Sequence, residues 1–336
     1  MADDRAMVIV WRVWERCSLG CAFCGYSREL PGKRLVADPQ QIVRFARVLA
    51  EVQQQAGRAL LISWLGGEPL DWPELPGLSR HLHRDLQLLL SVTTNGLPLE
   101  VPRVRESLLH DYAELTISLD GCAEFHDAVR KLPGLTARVR RGVQQLQSQA
   151  SSLLLRVNTV LMRGNIEGFP EFCEEMAAWG FQELTFNQLG GNDRPEFYPE
   201  NRLLPEQVER FLAQLPDLQQ KMAEHGLAIR GAPRYLQRIV VTTRGERLAI
   251  EDCHPGSEFL FIDAAGRISP CSFSSAAYGI PLDEIDSPAE FLRLTQRFRD
   301  LRRRQRIGAC DDCHATHVFE KFRSGALADQ EESCEG

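Results

Sequence analysis

The sequence predicts an α/β fold: an open (β/α)6 partial TIM barrel followed by a small C-terminal α+β unit of a β-hairpin plus a helix. Three observations predict it. Six apolar runs of strand length fall at 7–13, 60–64, 88–92, 114–119, 153–161 and 183–188. Helical apolar spacing fills the segments between them, and strands alternating with helices imply parallel pairing through right-handed crossovers. Beyond about residue 235 the pattern changes to a short hairpin flanked by thiols.

Each element has its own signal. Met7 to Val13 is a continuous apolar run, and Ile42, Phe45, Leu49 and Val52 mark the buried face of the helix that follows. Leu60 to Trp64 gives the second strand and 88–92 the third, with a helix near 102–110 before the fourth strand. Helices near 136–148 and 168–179 flank the fifth strand, and a helix near 205–225 follows the sixth. Six such units do not close as eight do, so the sheet stays open, with the ligand site at the C-terminal ends of the strands. The regions of Cys17, Gly66, Thr94, Asp120, Asn158 and Gln188 all map there.

Size and composition set the class. A chain of 336 residues with 25% charged and 43% hydrophobic residues holds one large and one small unit. We divide it into a barrel over 1–235, the thiol-flanked unit over 236–325 and a polar tail over 326–336. No apolar stretch is long enough to span a membrane, and Met1-Ala2-Asp3-Asp4-Arg5 does not have the form of a signal peptide, so a cytoplasmic protein is expected. Ten cysteines in a chain of this kind suggest metal binding. A net charge of -7 gives no general pull toward nucleic acid. Arg293 to Arg306 is the basic exception. It reads as a helix with a solvated basic face, or as a docking surface for an acidic electron donor.

The first strand runs into Cys17-Ser18-Leu19-Gly20-Cys21-Ala22-Phe23-Cys24. Three closely spaced thiolates can hold an iron–sulfur cluster and leave one iron without a protein ligand, open to a small molecule. Three sides of a zinc knuckle, or three reduced structural cysteines, are the alternatives.

This motif, with Phe23 just before the third cysteine, resembles the radical S-adenosylmethionine (SAM) superfamily. Further matches fall in order: Gly66-Gly67-Glu68-Pro69 after the second strand, Thr94-Asn95-Gly96 after the third, and Ser118-Leu119-Asp120-Gly121 with His126, Asp127 and Arg130 after the fourth. The resemblance covers about residues 7 to 230. It implies a partial barrel, a 4Fe–4S cluster on Cys17, Cys21 and Cys24, and SAM chelated to the open iron. Glu68, or backbone oxygens near it, would accept hydrogen bonds from the SAM ammonium, with Phe23, Gly66, Gly67, Pro69, Thr94, Asn95 and Ser118 as further cofactor contacts. Asp120 would touch SAM or the substrate, act as an acid or base, or merely cap the next helix. Arg130 joins it as a catalytic candidate. Arg156 and Asn158 share one face of the fifth strand, and a charge there needs a partner, for which a SAM carboxylate serves. Asn187 and Gln188 open a polar run that suits substrate contact or an ordinary exposed loop.

In the C-terminal unit, Cys253 and Cys271 flank the strand Phe259 to Ile262 and the turn Asp263 to Gly266, and Cys310-Asp311-Asp312-Cys313 follows. This resembles the SPASM auxiliary-cluster domain in its shortened, single-cluster twitch form, because the later SPASM cysteines are missing. Cys253, Cys271, Cys310 and Cys313 would ligate a second 4Fe–4S cluster completely, or a zinc ion. Cys122, Cys173 and Cys334 read as unligated thiols, although His314, His317 or Cys334 could replace one ligand.

Two clusters suggest a net oxidation, the auxiliary one accepting the electron of the substrate radical. The Ser118 to Arg130 stretch resembles enzymes that modify peptides, whereas the single auxiliary cluster resembles aminocyclitol dehydrogenases. A peptide or small natural product is therefore expected as substrate, aminocyclitol dehydrogenation or a redox-neutral epimerisation being the alternatives. A ferredoxin- or flavodoxin-type donor is expected, with a separate leader-peptide-binding protein if the substrate is a peptide, since the first strand starts near residue 7. Two readings from other classes are a non-catalytic electron carrier and a zinc-dependent module.

Overall fold

A computed structural model describes residues 6–149 and 152–322. Cys334 and the tail over 326–336 lie outside the described residues. Along the chain run β1 (Met7–Trp14), α1 (Pro39–Ala56), β2 (Leu60–Gly66), α2 (Leu75–Arg84), β3 (Leu89–Thr94), α3 (Pro102–Asp111) and β4 (Glu114–Ser118). Next come α4 (Ala123–Arg130), α5 (Leu135–Gln147), β5 (Leu154–Leu161), α6 (Phe169–Ala178), β6 (Glu183–Gln188), α7 (Tyr198–Asn201), α8 (Pro205–Glu224), β7 (Ala228–Ile229) and α9 (Pro233–Thr243). The C-terminal part holds β8 (Phe259–Ile262), β9 (Arg267–Ser269), α10 (Ser275–Tyr278), β10 (Ile280–Pro281), α11 (Pro288–Leu292), α12 (Leu294–Arg304) and α13 (Gly308–Asp311).

The strands form one ten-stranded sheet in the order β10-β9-β8-β1-β2-β3-β4-β5-β6-β7. Its two end strands do not pair, so the barrel is open. β1 to β6 are the predicted strands, and β7 continues the parallel set beside β6. The C-terminal hairpin does not stand apart. β8 pairs in parallel with β1, Val8 opposite Phe259, and β9 returns antiparallel to it. The auxiliary segment is thus hydrogen-bonded to the strand that leads into Cys17.

Local chemistry explains these elements. In β1, Met7, Ile9, Trp11 and Val13 are buried while their neighbours are half-buried, the period-2 pattern of a strand with one face under helices. Helix α1 starts at Pro39, where the Asp38 carboxylate accepts the Gln40 N–H at 2.9 Å. It packs Phe45 edge-on to Trp11, centroids 5.8 Å apart, and Trp11 lies 6.0 Å from Trp64 of β2. The outer faces of the strands are apolar. The inner faces of β4, β5 and β6 carry Glu114, Arg156, Asn158, Glu183, Thr185 and Asn187, a polar lining that a sealed core would not tolerate. Among the described residues, no helix is long and apolar enough to cross a membrane.

Candidate active site

The three N-terminal thiols sit on the loop that leaves β1. Cys21 is buried, and Cys17 and Cys24 are partly covered. Burial pushes the Cys17 thiol up to about 12 and Cys21 up to about 11, and raises Cys24 as well. Without iron they therefore stay protonated at neutral pH, so metal binding must expel the protons. The surroundings suit thiolates: Cys17 Sγ accepts from Leu19 N at 3.5 Å and Asn95 Nδ2 at 3.7 Å, and Cys24 Sγ accepts from Tyr26 N at 3.3 Å. Such donors stabilise an anionic cluster's sulfurs.

Backbone bonds lock this loop to the turn after β2. Gly67 N donates to Trp14 O at 2.6 Å and Glu68 N to Arg16 O at 2.8 Å. Glycine is required twice, since a Cβ on Gly66 would lie 2.2 Å from Trp14 O and one on Gly67 2.2 Å from Arg16 O. Pro69 is buried. The Glu68 carboxylate turns inward and accepts from Thr94 Oγ1 at 2.8 Å, Asn95 N at 2.7 Å and Leu70 N at 3.1 Å. It is fully buried, and burial raises it to about 7. The side chain thus clamps β2 to β3, and backbone oxygens of the turn are the other acceptors expected for a SAM ammonium.

Asp120, just beyond β4, is fully buried and bonded on both oxygens, to Arg130 Nε at 2.7 Å and Val160 N at 3.0 Å. Burial opposes its charge, but Arg130 and then His126 hold the carboxyl below its ordinary range. An ion-paired carboxylate held in this way is a poor acid or base, and the structure gives Asp120 a positioning task instead. Arg130 lies 5.6 Å from the Phe23 ring centroid and lowers the pKa of Cys21 and Cys24, while Ala22 N donates to Val129 O at 3.0 Å. The pair thus braces the cysteine loop against α4. Nδ1 of the fully buried His126 accepts the Asp120 N–H at 3.0 Å, and burial followed by Arg130 lowers the imidazole to about 4.

That depressed value predicts a pH dependence. The unfolded imidazole binds a proton near 6.5 and the folded one only near 4, so His126 contributes stability above 6.5 that is lost as pH falls toward 4. The loss approaches about 3 kcal/mol. Urea unfolding at pH 7.5 and 4.5 should show this fall in the parent chain and a smaller one in His126→Asn, which keeps an acceptor near the Nδ1 position. Equal falls would remove His126 as the cause.

Arg156 already has carboxylate partners within the sheet: Nη1 lies 3.0 Å from Glu114 Oε2 and Nη2 lies 2.6 Å from Glu183 Oε2. Asn158 Oδ1 accepts from Thr185 Oγ1 at 2.9 Å and from Lys321 Nζ at 2.8 Å; Asn187 Oδ1 accepts from Lys321 Nζ at 2.9 Å and from Tyr235 OH at 3.3 Å. Gln188 Nε2 donates to Thr242 Oγ1 at 2.9 Å. Ser118 is half-buried at the end of β4.

The C-terminal thiols converge as well. Cys253, Cys271, Cys310 and Cys313 all line one pocket, together with Tyr278 and His317. Burial raises the thiols of Cys253, Cys271 and Cys313. Among the described residues, no three His, Cys, Asp or Glu side chains converge on a point that could hold a metal ion. His317 instead stacks on Phe259, centroids 4.2 Å apart, and His314 Nε2 lies 3.2 Å from Asp312 Oδ2. Cys173 is buried in the core, and Cys122 is exposed.

The arginine-rich helix α12 is more than a solvated face. Arg302 donates to the carbonyls of Ile250 and Glu251, close to Cys253, and Arg306, just beyond the helix, reaches Cys310 O at 2.7 Å. A chain of bonds also joins the two halves: Gln188 to Thr242, Thr242 to Arg238, and Arg238 Nη1 to Asp312 Oδ1 at 2.5 Å, between Cys310 and Cys313. Sequence reasoning missed Arg238, which is 2% exposed and whose partner is 74 residues away.

A sequence model of the family described as the Radical SAM superfamily matches residues 11–176, spanning the cysteine loop and the turns after β2, β3 and β4. The chain belongs to the radical SAM superfamily. It is a radical SAM enzyme, and membership implies the three-cysteine 4Fe–4S cluster and SAM. Over 342 residues it is 26% identical to the AdoMet-dependent heme synthase of Methanosarcina barkeri, covering 96% of this chain and 92% of that protein. It is 24% identical to the mycofactocin maturase MftC of Mycolicibacterium smegmatis, covering 97% of this chain and 79% of that protein. Solved structures share the fold. Native anSMEcpe with bound AdoMet matches with a TM-score of 0.66 at 16% identity, over 88% of this chain and 82% of that one. Streptococcus suis SuiB bound to its precursor peptide SuiA matches with a TM-score of 0.60 at 16% identity, over 80% of this chain; the match spans 60% of SuiB.

Proposed function

We propose that this radical SAM enzyme completes a net oxidation of a peptide or small natural product, with an auxiliary 4Fe–4S cluster on Cys253, Cys271, Cys310 and Cys313 as electron acceptor. The observation that carries this reading is the convergence of those four thiols on one cavity beside the barrel. The cluster on Cys17, Cys21 and Cys24, when bound, supplies the electron that cleaves SAM to methionine and a 5'-deoxyadenosyl radical.

This chain's own residues supply placement. The Gly66 to Glu68 turn and Asn95 fix Cys17, and Asp120 and Arg130 hold the Cys21 and Cys24 side of the loop. Asn158 and Asn187 line the barrel where the substrate would sit, and the Gln188 to Asp312 chain of bonds fixes β6 relative to the second thiol set. The full set of four thiols favours oxidation over a redox-neutral epimerisation. A tetrapyrrole is a second substrate reading, favoured by the nearly full-length likeness to a heme synthase.

Incubation of the anaerobically reconstituted protein with SAM and dithionite should release 5'-deoxyadenosine, and the variant with Cys17, Cys21 and Cys24 changed to alanine should release none. No release from the parent protein would overturn the reading. The same assay with precursor peptides and with an iron porphyrin separates the two substrate classes, since the true class stimulates the release and is itself oxidised.

A further inference from the structure

Only four of the 39 basic residues are lysines: Lys33, Lys131, Lys221 and Lys321. Three behave as surface lysines do. Lys33 is exposed, Lys131 pairs with Glu29 at 2.5 Å and Lys221 with Glu174 at 2.5 Å. Lys321 is different, being 5% exposed and directed into the barrel.

The segment after the Cys310/Cys313 pair brings it there. Phe322 lies against Arg156, its ring centroid 5.4 Å from the guanidinium carbon. From that level the Lys321 side chain reaches Asn158 and Asn187, farther along β5 and β6 toward their C-terminal ends. Both partners of Nζ are neutral amide oxygens. The two carboxylates on this face are already taken, Glu114 by Arg156 and Glu183 by Arg156 and Arg230, the latter through Nε at 3.1 Å. Two carboxylates thus stand against three cations. Among the described residues, no carboxylate pairs with Lys321.

A buried ammonium with only neutral partners is costly unless something else completes its environment. Burial, and then Arg156, pull this one down to about 7. An anion in the barrel would reverse that shift by favouring the charged form. A chain that otherwise uses arginine nearly throughout keeps, at this point, a compact ammonium whose three donors can serve two amides and one further acceptor.

We infer that Lys321, oriented by Asn158 and Asn187, forms a subsite inside the barrel for a carboxylate of the substrate. This deepens the proposed function by naming a substrate feature, and rests on that reading only in placing the substrate within the barrel. The subsite selects molecules that present a carboxylate to the wall formed by β5 and β6.

The test is trace acetylation of the SAM-loaded holoenzyme with acetic anhydride, read by mass spectrometry at the four lysines. Propionate serves as the probe and neutral propionamide as its control. Lys321 should be acetylated in the SAM-loaded protein and lose its labelling with propionate but not with propionamide, the other three lysines being unaffected by either. Labelling unchanged by propionate overturns the subsite. So does a Lys321 never labelled, because no carboxylate could then reach the amine. Protection by SAM alone, against SAM-free protein, would assign the anion to SAM instead and equally overturn a substrate subsite. The readout needs no radical chemistry, so failure here leaves 5'-deoxyadenosine release standing, and failure of that release leaves this result standing.

Discussion

Gly67→Ala should remove the N-terminal cluster while leaving the C-terminal one in place. The added Cβ would lie 2.2 Å from Arg16 O, a backbone atom one residue before Cys17, so no side-chain rotation relieves the clash. The loop must move, breaking the bonds from Gly67 N to Trp14 O and from Glu68 N to Arg16 O. Glu68 is then drawn off Thr94 and Asn95, and Asn95 off Cys17. After anaerobic reconstitution, iron should fall by about four per chain, and release of 5'-deoxyadenosine should be abolished. Gly190→Ala is the control, because its Cβ meets nothing within 4 Å. A Gly67→Ala protein with full iron and full release would show that the turn is not what holds the cysteine loop.

The second large effect is expected at Asp120 and Arg130. Both are buried, with side chains 0% and 8% exposed and 2.7 Å apart, so removing either partner strands a charge in the interior. Arg130→Met and Asp120→Asn should each destabilise the protein by about 3–5 kcal/mol. The double variant should lose clearly less than the sum, because it strands no charge. Thermal unfolding of the three variants measures the coupling. Additive losses would mean that the two side chains act independently, and the argument that they brace the cysteine loop together would fail.

Much of this site was legible in the sequence because its parts are local. Cys17 to Cys24, Gly66 to Pro69 and Asp120 to Arg130 are contiguous or helix-spaced, and the apolar runs placed each after a strand. Side-chain partners were harder to read. Arg156 was offered a ligand because its strand is otherwise apolar, yet Glu114 and Glu183 begin the neighbouring strands, and register puts Arg156 opposite Glu183. That signal was present as charges at the starts of adjacent strands. The burial of Glu68 had no local signal, since donors from the end of β3, Thr94 and Asn95, draw its carboxylate inward. Lys321 offered no local signal at all, since its partners lie 134 and 163 residues away and the chain must return to the barrel to meet them. Likewise, pairing of β8 with β1 depends on sheet order, which periodicity does not encode.

The central claim is that two clusters with different tasks share this fold. Its most direct test is iron and sulfide per chain, after anaerobic reconstitution, in the variant with Cys17, Cys21 and Cys24 all changed to alanine. The account predicts about four irons, held by Cys253, Cys271, Cys310 and Cys313. A value near zero would contradict it, leaving a one-cluster radical SAM enzyme with no resident acceptor for the substrate's electron.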